Sequence, residues 1–316
     1  MLLFRPESSE SVLSVRTPAK LNLYLDVLGK RDDGFHAIET VMCPITLWDE
    51  IEVRSASDGK LSLEVEIPES LQGDPAWDVP ADSENLVMRA ASLVQQHLGS
   101  SQGCHIRLKK QIPAVAGLGG GSGNAAGVVT ACLLLWSEWN RDLALQLLQQ
   151  IGSDVPFFLG GIEGFGLVHA TGRGEQCRFL KMAPELRFWL SHPPQGCSTK
   201  EVYGRYEPVQ NGREIADFLH ACQTGQPQKI GACMFNALQS SAESLNGWIK
   251  KQLDLFHDCG FKYAMMSGSG SSCFALIDQP QHSLQLPHSA RSVGLTRVFE
   301  VEAWYGPSIE EQISTW

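Results

Sequence analysis

The sequence predicts an α+β protein in which each domain stacks two layers of secondary structure. Three observations carry that prediction. Over 13–27 the odd positions read Leu13, Val15, Thr17, Ala19, Leu21, Leu23, Leu25 and Val27, while even positions carry Ser14, Arg16, Lys20, Asn22, Tyr24 and Asp26. This is the period-two alternation of a strand with one buried face. Residues 124–136 are apolar nearly all round, which marks a buried helix. Elsewhere strands and helices alternate irregularly, with no repeat, heptad or low-complexity tract, unlike a doubly wound parallel sheet.

Taken in order, the first strand is expected as one piece or as two in line broken at Pro18. Lys20 and Asn22 then leave the same face, away from the apolar one. Residues 45–53 are strand-like, and Leu61-Ser-Leu-Glu-Val-Glu-Ile67 is a half-exposed strand. Residues 69–82, rich in Pro, Asp and Gly, read as a loop, after which Ser83 opens a helix. Ile106, Leu108 and Ile112 mark a strand that ends at a glycine-rich stretch, and 141–151 form a helix stopped by Gly152. A second unit opens near 181. It offers a strand at 186–190, helical stretches near 199–206, 212–222 and 236–258, a strand-turn-strand over 263–277 and a final strand at 297–304. The expected domains are 1–180 and 181–316.

Composition bounds the function. A net charge of -10 over 316 residues disfavours a nucleic-acid-binding surface, and 43% hydrophobic with 19% charged residues is a globular balance. The nine cysteines contain no Cys-x-x-Cys pair and lie partly in apolar runs, so they read as reduced thiols filling a core in the cytoplasm. No signal-peptide stretch and no run of about 20 apolar residues is present, so no membrane span is expected.

The most informative stretch is Pro113-Ala-Val-Ala-Gly-Leu-Gly-Gly-Gly-Ser-Gly-Asn-Ala-Ala126. Its glycines let the backbone approach a polyanion and turn N–H groups inward. The helix that follows directs its free N–H groups and positive dipole end at the same place, so phosphate binding is the natural use. A plain turn is the alternative, and five glycines abutting a buried helix make it costly. A Walker A loop needs Gly-Lys-Ser/Thr where Gly123-Asn124 stands, and a Rossmann fingerprint fails at Ser122. The His-Arg-Asp and Asp-Phe-Gly signatures of protein kinases are absent.

Pro-x-x-x-Gly-Leu-Gly-Gly-Gly-Ser resembles the ATP loop of the GHMP kinases, the superfamily of galactokinase, homoserine kinase and mevalonate kinase. Other segments resemble the branch whose acceptor is a cytidine-diphosphate-linked methylerythritol. Pro18-Ala-Lys-Leu-Asn22 with Arg31-Asp-Asp-Gly-Phe-His36 resembles its N-terminal signature. Gly152-Ser-Asp-Val-Pro-Phe-Phe158 resembles its catalytic-aspartate segment, and Met266-Ser-Gly-Ser-Gly-Ser-Ser-Cys-Phe-Ala275 the third GHMP motif. Order and spacing agree from Thr17 to about Ala275, most of the chain. The resemblance implies a two-domain fold, ribosomal-protein-S5-like at the N-terminus and ferredoxin-like at the C-terminus. It further implies an ATP- and Mg²⁺-dependent kinase acting on the 2-hydroxyl of that acceptor, as a monomer or homodimer.

Asp154, read alone, is a helix cap with Pro156 two residues on; the resemblance makes it the acceptor of the substrate hydroxyl's proton. Lys20, read alone a solvated strand lysine, is by resemblance the cation that keeps Asp154 ionised and offsets charge on the transferred phosphoryl. Phe35 and Tyr203 are implied to stack on cytosine and His36 to hydrogen-bond it, with Asn22 and Thr199 on the substrate's polar groups; alone, Phe35 is a core residue and His36 a surface histidine. Pro113, Gly117, Leu118, Gly119, Gly120, Gly121, Ser122, Gly123 and Asn124 are implied to hold ATP, with Asn85 near adenine or simply starting a helix. The turn Gly268-Ser-Gly-Ser-Ser272 is read as mainly structural. One departure stands out: Gly123 replaces the second serine of the usual loop, and no carboxylate cluster names Mg²⁺ ligands. Two other readings are a GHMP kinase for a non-nucleotide alcohol, such as homoserine or mevalonate, and an inactive GHMP-fold ligand sensor. The Phe35, His36 and Tyr203 set argues against the first, and Lys20 with Asp154 against the second.

Overall fold

The computed structural model of the chain describes residues 1–4, 11–74, 76–208, 214–279 and 286–316. The N-terminal half runs β1 (Leu2–Phe4), β2 (Val12–Lys30), β3 (His36–Ala56), β4 (Leu61–Glu66), α1 (Leu86–Leu98) and β5 (Gly103–Lys109). It continues with α2 (Gly120–Leu135), α3 (Arg141–Ile151), β6 (Val168–Thr171) and β7 (Gln176–Phe179). The C-terminal half runs β8 (Arg187–His192), α4 (Thr199–Gly204), α5 (Ile215–Thr224), α6 (Pro227–Cys233), β9 (Phe235–Asn236), α7 (Gln239–Leu245) and α8 (Gly247–Asp258). It closes with β10 (Ala264–Met266), β11 (Cys273–Leu276), α9 (Leu286–Ser292), β12 (Arg297–Glu302) and α10 (Ile309–Ile313).

The first sheet orders β1-β2-β3-β5-β4, with β6 and β7 added beyond β3 and β9 pairing in parallel with β2 at Tyr24 and Leu25. The second sheet orders β10-β11-β8-β12, all antiparallel, the ferredoxin-like arrangement. Helices α1, α2 and α3 cover the first sheet through a core that includes Val15, Ile51, Val53, Ala90, Val129 and Leu147. A second core joins the two sheets: Ala19, Leu21 and Val41 meet Phe188, Leu190 and Phe274.

The long strand β2 departs from the expected alternation in a way that shapes the site. Register shifts fall between Pro18 and Ala19 and between Asn22 and Tyr24. Before the first shift, odd residues Leu13 and Val15 lie in the helix-side core; after it, odd residues Ala19, Leu21 and Leu23 lie in the core shared with the second sheet. A bulge re-aims side chains in this manner. Lys20 and Asn22 are therefore not on an open face: both are 3% exposed, on a strand covered on both sides.

Other boundaries also moved. Asn85, rather than Ser83, caps α1, its Oδ1 accepting from the Val87 N–H at 3.0 Å. The run at 236–258 is two helices divided at Asn246, whose side chain caps α8. The helix expected at 212–222 is α5, and residues 212 and 213 lie outside the described residues. The tail beyond Pro280 resumes as α9, β12 and α10, while Pro280 itself lies outside the described residues.

Candidate active site

Beside the first sheet lies a cavity of about 1040 Å³, bounded by β2 and β3, the loop before α2, the turn before Pro156, α4 and the turn 268–270. At its floor the Lys20 ammonium sits 2.5 Å from Asn22 Oδ1 and 3.5 Å from Asp154 Oδ2. Lys20 is buried while the Asp154 side chain is 37% exposed, so the pair has a desolvated cation and a carboxylate open to the cavity. Asn22 completes the frame, donating through Nδ2 to Thr40 Oγ1 at 2.9 Å, while the Thr40 hydroxyl donates to the Tyr24 carbonyl at 2.6 Å. The Lys20 N–H donates to the Leu118 carbonyl at 2.9 Å, which ties the strand to the glycine loop.

The loop itself is shorter than its sequence. Helix α2 starts at Gly120, so Gly120, Gly121, Ser122 and Gly123 form its first turn and Gly119 is its N-cap. Glycines are poor helix formers, but Gly119, Gly120 and Gly123 each keep a side chain out of a crowded place, with atoms 2.8, 2.9 and 3.2 Å from where a Cβ would stand. Gly117 and Gly119 take left-handed φ of +75° and +71°. A Cβ at Gly117 would run into the Ser267 carbonyl, and one at Gly119 would come within 2.8 Å of Phe158 and 3.1 Å of Lys20 Cγ. The result is a helix N-terminus that meets the cavity at Gly117 and its N-cap Gly119, beside Lys20, an arrangement suited to phosphate.

Beneath this turn lies a buried polar network. Asp49 accepts from Lys110 Nζ at 2.6 Å, Asn124 Nδ2 at 2.9 Å, and the Gln111 and Ile112 N–H groups at 2.6 and 2.8 Å. Asn124 also accepts from Thr17 Oγ1 at 2.8 Å. Asn124 is thus buried and committed to the scaffold through both side-chain polar atoms. Asn85 is committed likewise, capping α1 through Oδ1 and donating through Nδ2 to the Pro80 carbonyl at 2.6 Å. Ser122 is half-buried in the first turn of α2. Gly123 packs against Phe158, whose ring carbons lie 3.2 Å from where a Cβ would stand, so the missing serine leaves room that an aromatic ring fills.

At the other end of the cavity His36 and Tyr203 stack on each other, with centroids 5.1 Å apart and planes at 27°. Burial, with the Asp154 charge second, pushes the Tyr203 phenol well above its usual range, so it stays a neutral hydroxyl. Phe35 is 54% exposed, and the Arg173 guanidinium lies over its ring at 4.9 Å. Thr199 Oγ1 is 2.9 Å from Ser269 Oγ, linking α4 to the 268–270 turn. Here Lys20, Asn22, Phe35, His36, Gly117, Gly119, Asp154, Thr199 and Tyr203 line one cavity, although up to 183 residues apart in sequence. The sequence gives no role to Thr40 or to three lining cations, Lys30, Arg173 and Lys200, nor to Ser267, whose hydroxyl accepts from the Asn22 N–H at 3.3 Å and donates to the Gly117 carbonyl at 3.1 Å. A lone arginine between two glycines was the only signal for Arg173.

Two family models match the chain: the GHMP kinase N-terminal domain over 85–161 and the GHMP kinase C-terminal domain over 218–294. A protein named 4-diphosphocytidyl-2-C-methyl-D-erythritol kinase from Rhodopirellula baltica is 36% identical, the match covering 88% of this chain and 91% of that one. One of the same name from Pelotomaculum thermopropionicum is 40% identical over 87% and 92%. A crystal structure of 4-(cytidine 5'-diphospho)-2C-methyl-D-erythritol kinase superposes with a TM-score of 0.74 at 30% identity, covering 93% of this chain and all of that one. The chain belongs to the GHMP kinases, within the 4-diphosphocytidyl-2-C-methyl-D-erythritol kinase family. It is an ATP-using kinase for a small-molecule alcohol, and no helix among the described residues is long and apolar enough to cross a membrane.

Proposed function

We propose that the chain transfers the γ-phosphoryl of ATP to the 2-hydroxyl of 4-diphosphocytidyl-2-C-methyl-D-erythritol, a step of isoprenoid-precursor synthesis by the non-mevalonate route. The observation that carries the reading is the Lys20–Asp154 pair, 3.5 Å apart, between a helix N-terminus on one side and the His36–Tyr203 stack on the other. Asp154 takes the proton of the 2-hydroxyl as its oxygen bonds to the γ-phosphorus. The bond to the β-phosphate oxygen breaks and ADP leaves. The transition state is loose, so alignment and charge neutralisation matter more than basicity. Asp154 therefore aligns the hydroxyl as much as it accepts its proton, and the buried Lys20 ammonium faces the moving phosphoryl.

The free N–H groups at 117–122 hold the nucleotide phosphates, with Ser122 as the loop's hydroxyl; Gly123 gives its N–H to the Gly119 carbonyl at 2.9 Å and, like Asn124 and Asn85, acts through the scaffold. Magnesium accompanies ATP in such chemistry and neutralises charge between the β- and γ-phosphates. The described residues offer no group of three or more His, Cys, Asp or Glu that could hold a metal. Of this chain's side chains, the Ser122 hydroxyl would hold the ion together with the phosphates, and the ion would supply charge neutralisation there. Tyr203 and Phe35 sandwich cytosine, and His36 reads its hydrogen-bonding edge. For this the His36–Tyr203 stack opens to admit the base. We set the domain boundary at 180/181, between β7 and β8, and place the enzyme in the cytoplasm as a monomer or homodimer; all nine cysteines are free, as a reducing compartment permits.

The test is ADP release coupled to phosphorus NMR of the product. The expected result is one ADP per acceptor and a new phosphomonoester on the 2-hydroxyl. ADP release unchanged by omitting the cytidylated acceptor would overturn the reading.

A further inference from the structure

The chain carries a net charge of -10, yet the acceptor end of its cleft is positive. Lys30, Arg173 and Lys200 line it, and among the described residues the only carboxylate lining the same cavity is Asp154, which is paired with Lys20. None of the three cations forms an ion pair with a described residue. The acidic side chains beside Arg173 are used elsewhere. Asp33 is bound to Arg31 at 3.0 Å and accepts from the Phe35 N–H at 3.1 Å. Glu175 accepts from the backbone N–H of Arg173 itself at 2.6 Å. Arg173 feels the Asp33 charge and covers the Phe35 ring, yet no described carboxylate lies within salt-bridge distance of its guanidinium, which leaves its N–H groups open to an anion at the mouth of the cleft.

Its position says which part of a ligand it would meet. Arg173 sits in the turn between β6 and β7, between Gly172 and Gly174, both at left-handed φ (+74° and +113°). The turn is fixed at both ends of the site. The Gly172 carbonyl accepts from the Ile38 N–H at 2.8 Å, two residues beyond His36, and the Cβ position of Gly174 is 3.4 Å from Asp154 Oδ1. Arg173 thus stands between the aromatic group that takes the base and the carboxylate that takes the hydroxyl proton. In a nucleoside diphosphate ester the diphosphate occupies that interval.

We infer that Arg173 is a substrate-binding residue for the acceptor's diphosphate, with Lys30 and Lys200 supplying the surrounding positive field. The inference rests on the acceptor reading proposed above. The guanidinium can do two things at once: its carbon lies over the Phe35 ring at 4.9 Å, and a stacked guanidinium keeps its N–H groups at the edge for phosphate oxygens. Filling this site thereby holds Phe35 in place against the base. The sequence alone gave no role to this arginine.

The test is calorimetric titration of the full chain, its nucleotide site filled with a non-hydrolysable ATP analogue, by cytidine, CMP and CDP. Wild type is expected to bind CDP at least about tenfold more tightly than cytidine. Arg173→Ala is expected to weaken CDP by about 10- to 100-fold, the range for losing hydrogen bonds to a charged group. The same change should leave cytidine within about threefold. In turnover it raises KM for the acceptor while kcat and the KM for ATP hold, and Arg173→Lys recovers part of the loss. Equal weakening of cytidine and CDP in Arg173→Ala would overturn the inference, since the arginine would then act only through Phe35. Unchanged CDP binding would overturn it too. Failure of the acceptor reading itself looks different: wild type would bind cytidine no better than uridine.

Discussion

The two ends of the cleft are built on opposite plans. At the phosphate end nearly every polar side chain is already spent: Asp49, Lys110, Thr17 and Asn124 bond one another in the interior, and what faces the cavity is backbone. At the acceptor end, side chains are held in place but left with capacity to spare. Phe35 is exposed, His36 and Tyr203 stack on each other at the cavity edge, and Arg173 has no carboxylate within salt-bridge distance among the described residues. The chemistry explains the contrast. Phosphates are common to every nucleotide and need only a preorganised ring of N–H groups, whereas an acceptor must be told from its relatives by side chains. Substitutions at the phosphate end should therefore damage folding and ATP binding together, and those at the acceptor end should change one affinity and little else.

The largest expected effect falls where the two ends meet. Asp154→Asn and Lys20→Ala should each fold normally and lose at least about 100-fold in turnover, with both substrate affinities nearly kept. Single-turnover kinetics beside equilibrium binding reads this, and near-wild-type turnover in either variant breaks the assignment. Next comes Gly117→Ala. Its Cβ meets the Ser267 backbone at a left-handed φ of +75°, so it should cost about 1–3 kcal/mol of stability and raise the KM for ATP. A loop variant that loses ATP affinity with an unchanged Tm would separate what we hold to be linked. Tyr203→Ala is expected to raise the acceptor KM about tenfold or more through lost stacking and to leave the KM for ATP alone.

A subtler effect concerns pH. His192 is 2% exposed, its Nδ1 2.9 Å from Ser272 Oγ, and Ser272 in turn donates its N–H to the Ala116 carbonyl of the glycine loop at 3.2 Å. Burial pushes the imidazole down to about 4 from an ordinary 6.5. The unfolded chain then binds the extra proton first as pH falls. Stability is full above pH 6.5 and is lost on the way down to about pH 4. Between pH 7 and pH 5 the loss from this group is about 2 kcal/mol. Urea unfolding at the two pH values should show a smaller drop in His192→Gln; an equal drop would place the acid sensitivity elsewhere. The smallest change is expected from Gly123→Ser, which restores the usual loop hydroxyl. Phe158 must yield a few tenths of an ångström, at a cost of about 1 kcal/mol, and the KM for ATP should move less than threefold.

Much of this site was legible in the sequence because its parts are local. The glycine loop, the Lys20–Asn22 pair and the Phe35-His36 step each sit within a few residues, and their order along the chain matched a family. What escaped reading was set by distant parts of the chain. The alternation of β2 placed Lys20 on an open face, because the bulge after Pro18 that turns it inward leaves no mark in a hydrophobic pattern. The Asp49–Lys110–Asn124 network joins residues 61 and 75 positions apart. Helix α2 begins among glycines that argue against a helix when taken singly, since the reason for them is Phe158, Lys20 and the Ser267 backbone. Four-residue strands such as β6 and β7 are too short for a period to be counted. They nonetheless carry the turn that holds Arg173.

The claim that the cleft is one enzyme site, with ATP at the helix N-terminus and a cytosine-bearing acceptor at the aromatic end, has a direct measurement. It is the kcat/KM for ADP release with the cytidylated acceptor, compared with its uridylated analogue and with methylerythritol lacking any nucleotide. The account predicts a loss of at least about tenfold for uracil and a far larger one without the base. Equal kcat/KM for all three acceptors would contradict it.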